Sequence, residues 1–480
     1  MSEVWEKLLT FVPPGIINRL AENEEQIYDL LDSGTSEKTG SYSLGENGKL
    51  IHFEIEGEPR AGNLSKEEIA DIAEGFIGAI YQDQKEFELS AVLDLGNPYW
   101  AVYEKRDEKY GLFLHSTGFT VSVSTAGQVM RFHSSGEEYE VKYSEEAVSE
   151  KEALEKYLHG VKFELCIEHF DKEIFKNGDH LYHLAYEIIE PFTELPIDGS
   201  DYNPIWAEPA ADMAISSVEH SNETIYGLFG INQDYKLMET RENEGKKVEV
   251  WTKEDAGSYS FEMEEADHHV LKLSFEQMSG MLLSAVSGEL HAGGGEEIGQ
   301  EAARKKAVEL MFKLYPDAHE RFRLEVNIDE EEDEPENLEE EREETDLDGR
   351  DKDFIEQEPA YTFYFHLYYK GIRAGQHATV IEVGKFSGKV THFHLDSLPD
   401  ELYRHLPAEP AISLQEAKDI YRKFVKMEKM FTRDYDETGK SVYSLSYTPS
   451  FPETVGHIRS IDAVTGKAMY VDVGDALFLD

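Results

Sequence analysis

The sequence predicts an α+β protein built as serial repeats of one helix packed on a small antiparallel sheet. Three observations carry that prediction. A glycine-centred turn recurs along the chain, helical stripes opened by capping boxes stand upstream of several of these turns, and runs rich in aromatic and β-branched residues follow each helix. At roughly 100–200 residues per domain, 480 residues accommodate two to four domains or an array of smaller units.

The turn reads as a small or polar residue, a Gly, a Gln, Glu or Lys, then an apolar strand. It occurs at Glu46-Asn47-Gly48-Lys49-Leu50, Thr125-Ala126-Gly127-Gln128-Val129 and Val286-Ser287-Gly288-Glu289-Leu290. It returns at Phe386-Ser387-Gly388-Lys389-Val390 and Val464-Thr465-Gly466-Lys467-Ala468, with a degenerate copy at Ile197-Asp198-Gly199. Glycine supplies the positive φ that a tight turn between strands requires. The six glycines are spaced 79, 72, 89, 100 and 78 residues apart, and an acidic insertion accounts for the longest interval.

Helices are expected where Ser and Glu stand three apart ahead of an apolar stripe. Ser65 and Glu68 precede Ile69, Ile72, Ala73, Phe76, Ile77 and Ile80. Ser149 and Glu152 open a shorter helix through Leu154, Tyr157 and Leu158, and Ser413 with Glu416 opens one through Leu414, Ala417, Ile420, Tyr421, Phe424 and Val425. A fourth runs from Gly299 to Tyr315. Strands are expected at Trp100–Glu104, Phe119–Ser124, Tyr182–Ile189, Tyr361–Tyr369, Ala378–Val383 and Ser441–Tyr447. Short turns between strands and one helix per unit favour antiparallel sheets.

These signals divide the chain into an N-terminal helical segment and hairpin (1–63), units at 64–143 and 144–210, and a divergent β-rich unit at 211–297. A unit at 298–400 carries an acidic loop at 329–353, and a last unit spans 401–480. The unit closing in Ile461-Asp462-Ala463-Val464-Thr465-Gly466-Lys467 resembles the end of a PepSY-type module. The stretch from Ala360 to Ile372, continuing through Gly388-Lys389 to Ser413–Ala417, resembles the YcdB/YcdC-type repeated domain of spore-forming bacteria. The resemblance is best over 299–472 and weaker over 65–200. It implies a multi-copy PepSY-like fold with no established enzymatic activity, in a class whose members restrain or chaperone peptidases and cell-wall lytic enzymes. No residue of this chain matches a catalytic residue of that class.

Composition narrows the partners. Asp and Glu number 99 against 46 Lys and Arg, a formal charge of -53. Such a surface repels phosphate backbones and anionic headgroups, which excludes nucleic-acid binding and charge-driven membrane association. With 25 Phe and 26 Tyr the chain has ample material for cores, so it is not a disordered acidic polymer. The N-terminus lacks a basic region and is interrupted by Pro13-Pro14-Gly15, so it does not read as a secretory signal. No window reaches the ~18 apolar residues of a membrane span. Cys166 is the only cysteine, and it reads as a buried thiol rather than a nucleophile. The expected location is cytoplasmic.

Two places invite a metal. From Asp329 to Asp348, 14 of 20 residues are acidic, a solvated loop by composition. Within it Glu344-x-Asp346-x-Asp348-Gly349 resembles the first half of a calcium loop, making Asp346 and Asp348 candidate ligands. The twelfth position is Ile355 rather than Glu, and diffuse cation condensation is the plainer expectation. His392 and His394 alternate along one strand and so share a face, and His366 and His377 lie in neighbouring strands. His366, His392 and His394 are therefore the candidate metal set; packed or solvent-facing histidines on a sheet are the plainer reading.

Catalytic signatures fail one by one. There is no G-x-S-x-G elbow, Arg323 stands where a zincin begun at His319-Glu320 needs its second His, and Gly384–Val390 lacks phosphate-loop spacing. No catalytic residue and no cofactor is expected. The leading expectation is a non-catalytic protein- or peptide-binding scaffold whose partner is favoured to be basic. The alternatives are a metal-assisted hydrolase using the three histidines, and an acidic surface adapted to a salt-rich cytoplasm.

Overall fold

A computed structural model describes residues 3–471 apart from 22–25, 46, 82–85, 95, 136–137, 145–146, 201–210, 217–221, 244, 254–258, 264–268, 289–295, 327–357 and 397. The acidic loop, with Asp346 and Asp348, lies outside the described residues.

The first part of the chain is a short helix α1 (Glu3–Leu8), a meander of β1 (Ile16–Leu20), β2 (Ile27–Asp32), β3 (Lys38–Leu44) and β4 (Leu50–Ile55), then α2 (Lys66–Ile80). A second meander follows: β5 (Glu88–Leu93), β6 (Tyr99–Arg106), β7 (Phe113–Val123) and β8 (Val129–Ser134). The inner strands of the two meanders pair antiparallel, His52 opposite His133 and Phe53 opposite Phe132, giving one eight-stranded sheet in the order β1-β2-β3-β4-β8-β7-β6-β5. Helix α2 begins where expected. Ser65 accepts from the Glu68 amide, and the Glu68 carboxylate accepts from the Ser65 amide at 2.9 Å. Its apolar stripe, Ile69, Ala73, Phe76 and Ile77, is fully buried against Phe53 and Phe132 of the sheet.

Next come β9 (Tyr139–Lys142), α3 (Glu150–Gly160), β10 (Lys162–His169), β11 (Tyr182–Ile189), β12 (Leu195–Pro196) and β13 (Asp212–Ala214). Then the first architecture returns. After α4 (Ile225–Leu228) stand β14 (Lys236–Asn243), β15 (Lys246–Thr252), β16 (Val270–Glu276) and β17 (Leu282–Ser287), followed by α5 (Gln300–Leu314) and α6 (Ala318–Arg321). The second meander is β18 (Phe322–Glu325), β19 (Ala360–Tyr369), β20 (Ile372–Gly384) and β21 (Val390–His394). Strand β17 pairs with β21 as β4 pairs with β8, so β14-β15-β16-β17-β21-β20-β19-β18 reproduces the order of the first sheet. We call these repeat 1 and repeat 2.

The chain ends with α7 (Asp400–Tyr403), α8 (Leu414–Phe424), β22 (Lys426–Tyr435), β23 (Ser441–Ser450), β24 (His457–Asp462) and β25 (Ala468–Val471). Here two helix–hairpin modules exchange strands. Leu195 and Pro196 of β12 pair with β23, while β24 crosses to pair with β11. The exchange is reciprocal in detail. The Ile197 amide donates to Leu445 O at 3.0 Å and the Ala463 amide to Leu184 O at 2.8 Å. The Tyr186 hydroxyl donates to Ile412 O and the Tyr447 hydroxyl to Val148 O, both at 3.1 Å, each tying one hairpin to the entry of the other module's helix. At the centre the hydroxyls of Tyr157 and Tyr421, both eight residues after a capping serine, meet at 2.8 Å in the interior.

The structure is thus a strand-rich α/β protein, and its sheets are larger than one helix on a few strands. Among the described residues they form an eight-stranded, a thirteen-stranded and a four-stranded sheet, because β10 lies parallel to β20 at Cys166 and Arg373 and fuses the exchanged modules to repeat 2. A four-stranded meander alone would leave its inner edge unpaired; joining two removes that edge. Five of the six recurring glycines sit at positive φ, four of them in the β3–β4, β7–β8, β20–β21 and β24–β25 connections, so two turns belong to repeat 1. Gly288 instead continues the β16–β17 pairing, its amide donating to Val270 O and its carbonyl accepting from the His269 amide. Two large cores result, one inside repeat 1 and one shared by repeat 2 and the exchanged modules. No helix among the described residues is long and apolar enough to cross a membrane.

Candidate functional site

The three histidines of the candidate metal set do not converge. His366, on β19, is buried and has both ring nitrogens engaged: Nε2 lies 2.7 Å from a Glu325 carboxylate oxygen and Nδ1 accepts from the Arg373 guanidinium at 2.9 Å. A nitrogen that accepts from arginine carries no proton, and its lone pair is spent. His392 and His394 stand on β21, with β20 between them and β19, so two strand spacings of about 5 Å each separate them from His366. Among the described residues no group of three His, Cys, Asp or Glu side chains is placed to hold a metal ion. His377 is instead bound to Asp396 at 2.8 Å, and His183 to Asp462 at 2.9 Å. Burial works to raise the Asp462 carboxyl, yet His183 and the amides of Thr465 and Val464 hold it at about 2. The Asp462 side chain thereby closes the turn at Gly466 rather than serving a ligand.

Two of the concavities that sequence reading did not reveal bear most on function. The first opens where β10 and β20 diverge, at the joint between repeat 2 and the exchanged modules, and measures about 420 Å³. Its walls carry Glu168, Glu187, Arg459, His169, His377 and Asp396. Burial raises the Glu168 carboxyl to about 7, although Ser460 donates its hydroxyl to it. Burial also acts on Asp396, but the bond from His377 outweighs it and keeps that carboxyl below its ordinary range. Buried Cys166 borders the cleft with its thiol pushed far up by burial, which makes it a poor nucleophile.

The second is a groove of about 1360 Å³ on repeat 1. Its aromatic wall is a ladder in which Phe119 lies 4.5 Å from both Phe87 and Tyr81, centroid to centroid. Ammonium groups stand over both ends, Lys105 5.1 Å from Phe87 and Lys49 6.0 Å from Tyr81. Lys7 of α1 and the β3–β4 turn at Gly45 and Asn47 form one rim. Arg433 of β22 closes the other, so the groove exists only once the C-terminal module has docked on repeat 1. Its lining holds Lys7, Lys49 and Arg433 against Glu3 and Glu86, an exception to the acidity of the chain.

Neither concavity was legible because each draws residues from elements distant in sequence. One usable signal was present: Ser-x-x-Glu-Ala-x-x-x-Tyr-x-x-x-Val stands at both 149–161 and 413–425, which marks α3 and α8 as a matched pair. In α2 and α5 the position of that Tyr holds Ala73 and Ala307, which marks the other pair.

Comparison with known proteins follows these boundaries. The family model described as YcdB, YcdC repeated domain matches residues 13–136 and 218–397, the two eight-stranded repeats. The uncharacterized protein YcdB of Bacillus subtilis (strain 168) is 25% identical over 456 residues, covering 89% of this chain and 87% of the relative. The uncharacterized protein YcdC of the same organism is 23% identical over 375 residues, covering 75% and 74%. Among solved structures, the Bacillus megaterium YpeB C-terminal domain matches 40% of this chain and 87% of its own at 15% identity and a TM-score of 0.26.

Proposed function

The chain belongs to the YcdB/YcdC repeated-domain family, and on that premise we propose that it is a non-catalytic scaffold that binds an extended segment of a protein partner. The observation that carries the proposal is the groove on repeat 1. At about 1360 Å³ it exceeds the roughly 300–1,000 Å³ of common small-ligand pockets. An aromatic ladder gives contact area at little entropic cost, and the flanking cations orient polar groups of the bound backbone or side chains. The acidic remainder of the surface favours approach of a basic partner, while the groove takes a less charged stretch of it. The exchanged helix–hairpin modules are the PepSY-like part of this reading, and that likeness extends the partner class to peptidases or cell-wall lytic enzymes.

Selection of random extended peptides displayed on phage, followed by hydrogen exchange of the complex, tests the proposal. Enriched peptides are expected to protect the β3–β4 turn, β7 and β8, and to lose at least about tenfold in affinity with Tyr81→Ser or Arg433→Ser. Peptides that protect only other segments, or bind both variants as well as the parent chain, overturn it.

A further inference from the structure

The face of repeat 2 turned away from α5 carries a second groove, of about 470 Å³, with a different chemistry. The ladder explains it. Arg241, Val248, Ser274, Ser284 and His394 lie directly opposite one another across five consecutive strands, β14 through β17 and β21, so their side chains emerge on one face in one row. His392 emerges beside His394, two residues back on the same strand, and Lys246 stands at the edge where the β14–β15 hairpin turns. Phe261 and Met263 pass over this floor, with the Arg241 guanidinium 3.7 Å from the Phe261 ring centroid.

We propose that this groove binds a small anion carrying a carboxylate or phosphate on a short apolar body. Arg241 and Lys246 supply fixed positive charge, the hydroxyls of Ser274 and Ser284 add polar contacts, and Val248, Met263 and Phe261 provide apolar wall. Glu262 is the one carboxylate among the described lining residues. In a chain of 99 acidic against 46 basic residues, a lining with two cations to one carboxylate is locally enriched in positive charge. Remote carboxylates do not cancel it, since charges beyond a Debye length of about 8 Å are largely screened while groups at contact are not. Other groups facing the site temper it: Glu239 lies 3.7 Å from Arg241, Glu276 stands opposite Lys246 and Glu382 opposite His392. Buried Lys272, next to this row on β16, is turned to the Glu262 carbonyl at 2.9 Å. His392 and His394 add imidazole N–H donors beside the same row.

Calorimetric titration of the full chain with hexanoate, glycerol 3-phosphate and, as the cationic control, hexylamine tests the proposal. Saturable binding of at least one anion is expected, with none of hexylamine. Arg241→Ala and Lys246→Ala should each weaken binding about tenfold. Preference for hexanoate identifies the carboxylate source, and preference for glycerol 3-phosphate the phosphate source. These positions are on the solvent face, and circular dichroism checks that each variant is folded. Absence of saturable anion binding, equal binding of hexylamine, or affinity unchanged in folded Arg241→Ala and Lys246→Ala overturns the inference.

Discussion

Repeat 1 and repeat 2 share strand order and helix placement but differ in what they do with the face away from the helix. In repeat 1, Glu54 of β4 lies opposite Arg131 of β8 and pairs with it at 2.7 Å, and Lys38 pairs with Asp29 at 2.9 Å. At the corresponding positions of repeat 2, Val286 lies opposite His392, and Ser284 replaces His52 opposite the last histidine of the hairpin. The helix-facing position is also thinned, from Phe53 opposite Phe132 to Ala285 opposite Phe393. Repeat 1 ties its inner strands with an ion pair; repeat 2 sets Val286 and Ser284 against histidines there and keeps its cations at the outer hairpin, where Arg241 meets Glu239. The repeats differ again in their edges. Repeat 1 keeps its own sheet and core, whereas β20 of repeat 2 accepts β10 and shares its core with the exchanged modules. A duplicated scaffold can therefore hold a separate role in each copy while the buried pattern that defines the fold persists.

Breaking the core distinguishes the copies most strongly. Phe132 is fully buried among Phe76, Phe119 and Tyr81, so Phe132→Ala should cost about 3–5 kcal/mol. Because repeat 1 has its own core, hydrogen exchange should show β2 through β4 losing protection while β15 through β17 retain theirs. Simultaneous loss in both copies would mean the cores are energetically one.

A smaller effect probes the joint that only repeat 2 has. The folded Glu168 carboxyl is raised by burial from 4.5 to about 7, so the folded state holds a proton that the unfolded chain releases across that window. That contribution is fully present below about pH 4.5 and is lost as pH rises through 7. Glu168→Gln should flatten this decline and leave the protein about 2 kcal/mol more stable than the parent at about pH 8. Parallel urea-stability curves for the two chains across this pH range would remove Glu168 from the account.

The smallest effect tests the polar faces themselves. Arg131 is half exposed, and an ion pair so placed contributes little. Converting Glu54→Val with Arg131→His, the residues of repeat 2, should change stability by less than about 1 kcal/mol and abolish the salt dependence of that small term. A larger loss would show that repeat 1 depends on its ion pairs for folding.

Much of the local structure was legible before the fold was known. The three Ser-to-Glu spacings became capping boxes at Ser65, Ser149 and Ser413, since a cap needs only four consecutive residues to be satisfied. The turns at Gly48, Gly127, Gly388 and Gly466 formed for the same reason, each demanding one left-handed residue. The partners of His366 were not legible because Glu325 and Arg373 reach it from another strand and across the β19–β20 hairpin, where periodicity shows a face and not the groups opposite it.

The sequence by itself determined the longer helices α2, α3, α5 and α8, the strands richest in aromatic and β-branched residues, the surplus of negative surface and the kinship to the repeated-domain family. Those follow from interactions over a few residues or from composition. Tertiary structure alone decided that two meanders share one sheet, that β12 and β24 change places, and that Arg433 completes the groove of repeat 1 while β21 completes that of repeat 2. Strand partners are chosen by whichever exposed edge and apolar face remain to be covered once the chain has folded back. That choice is made between segments more than two hundred residues apart, as for Leu195 and Tyr447, where no local pattern carries the information.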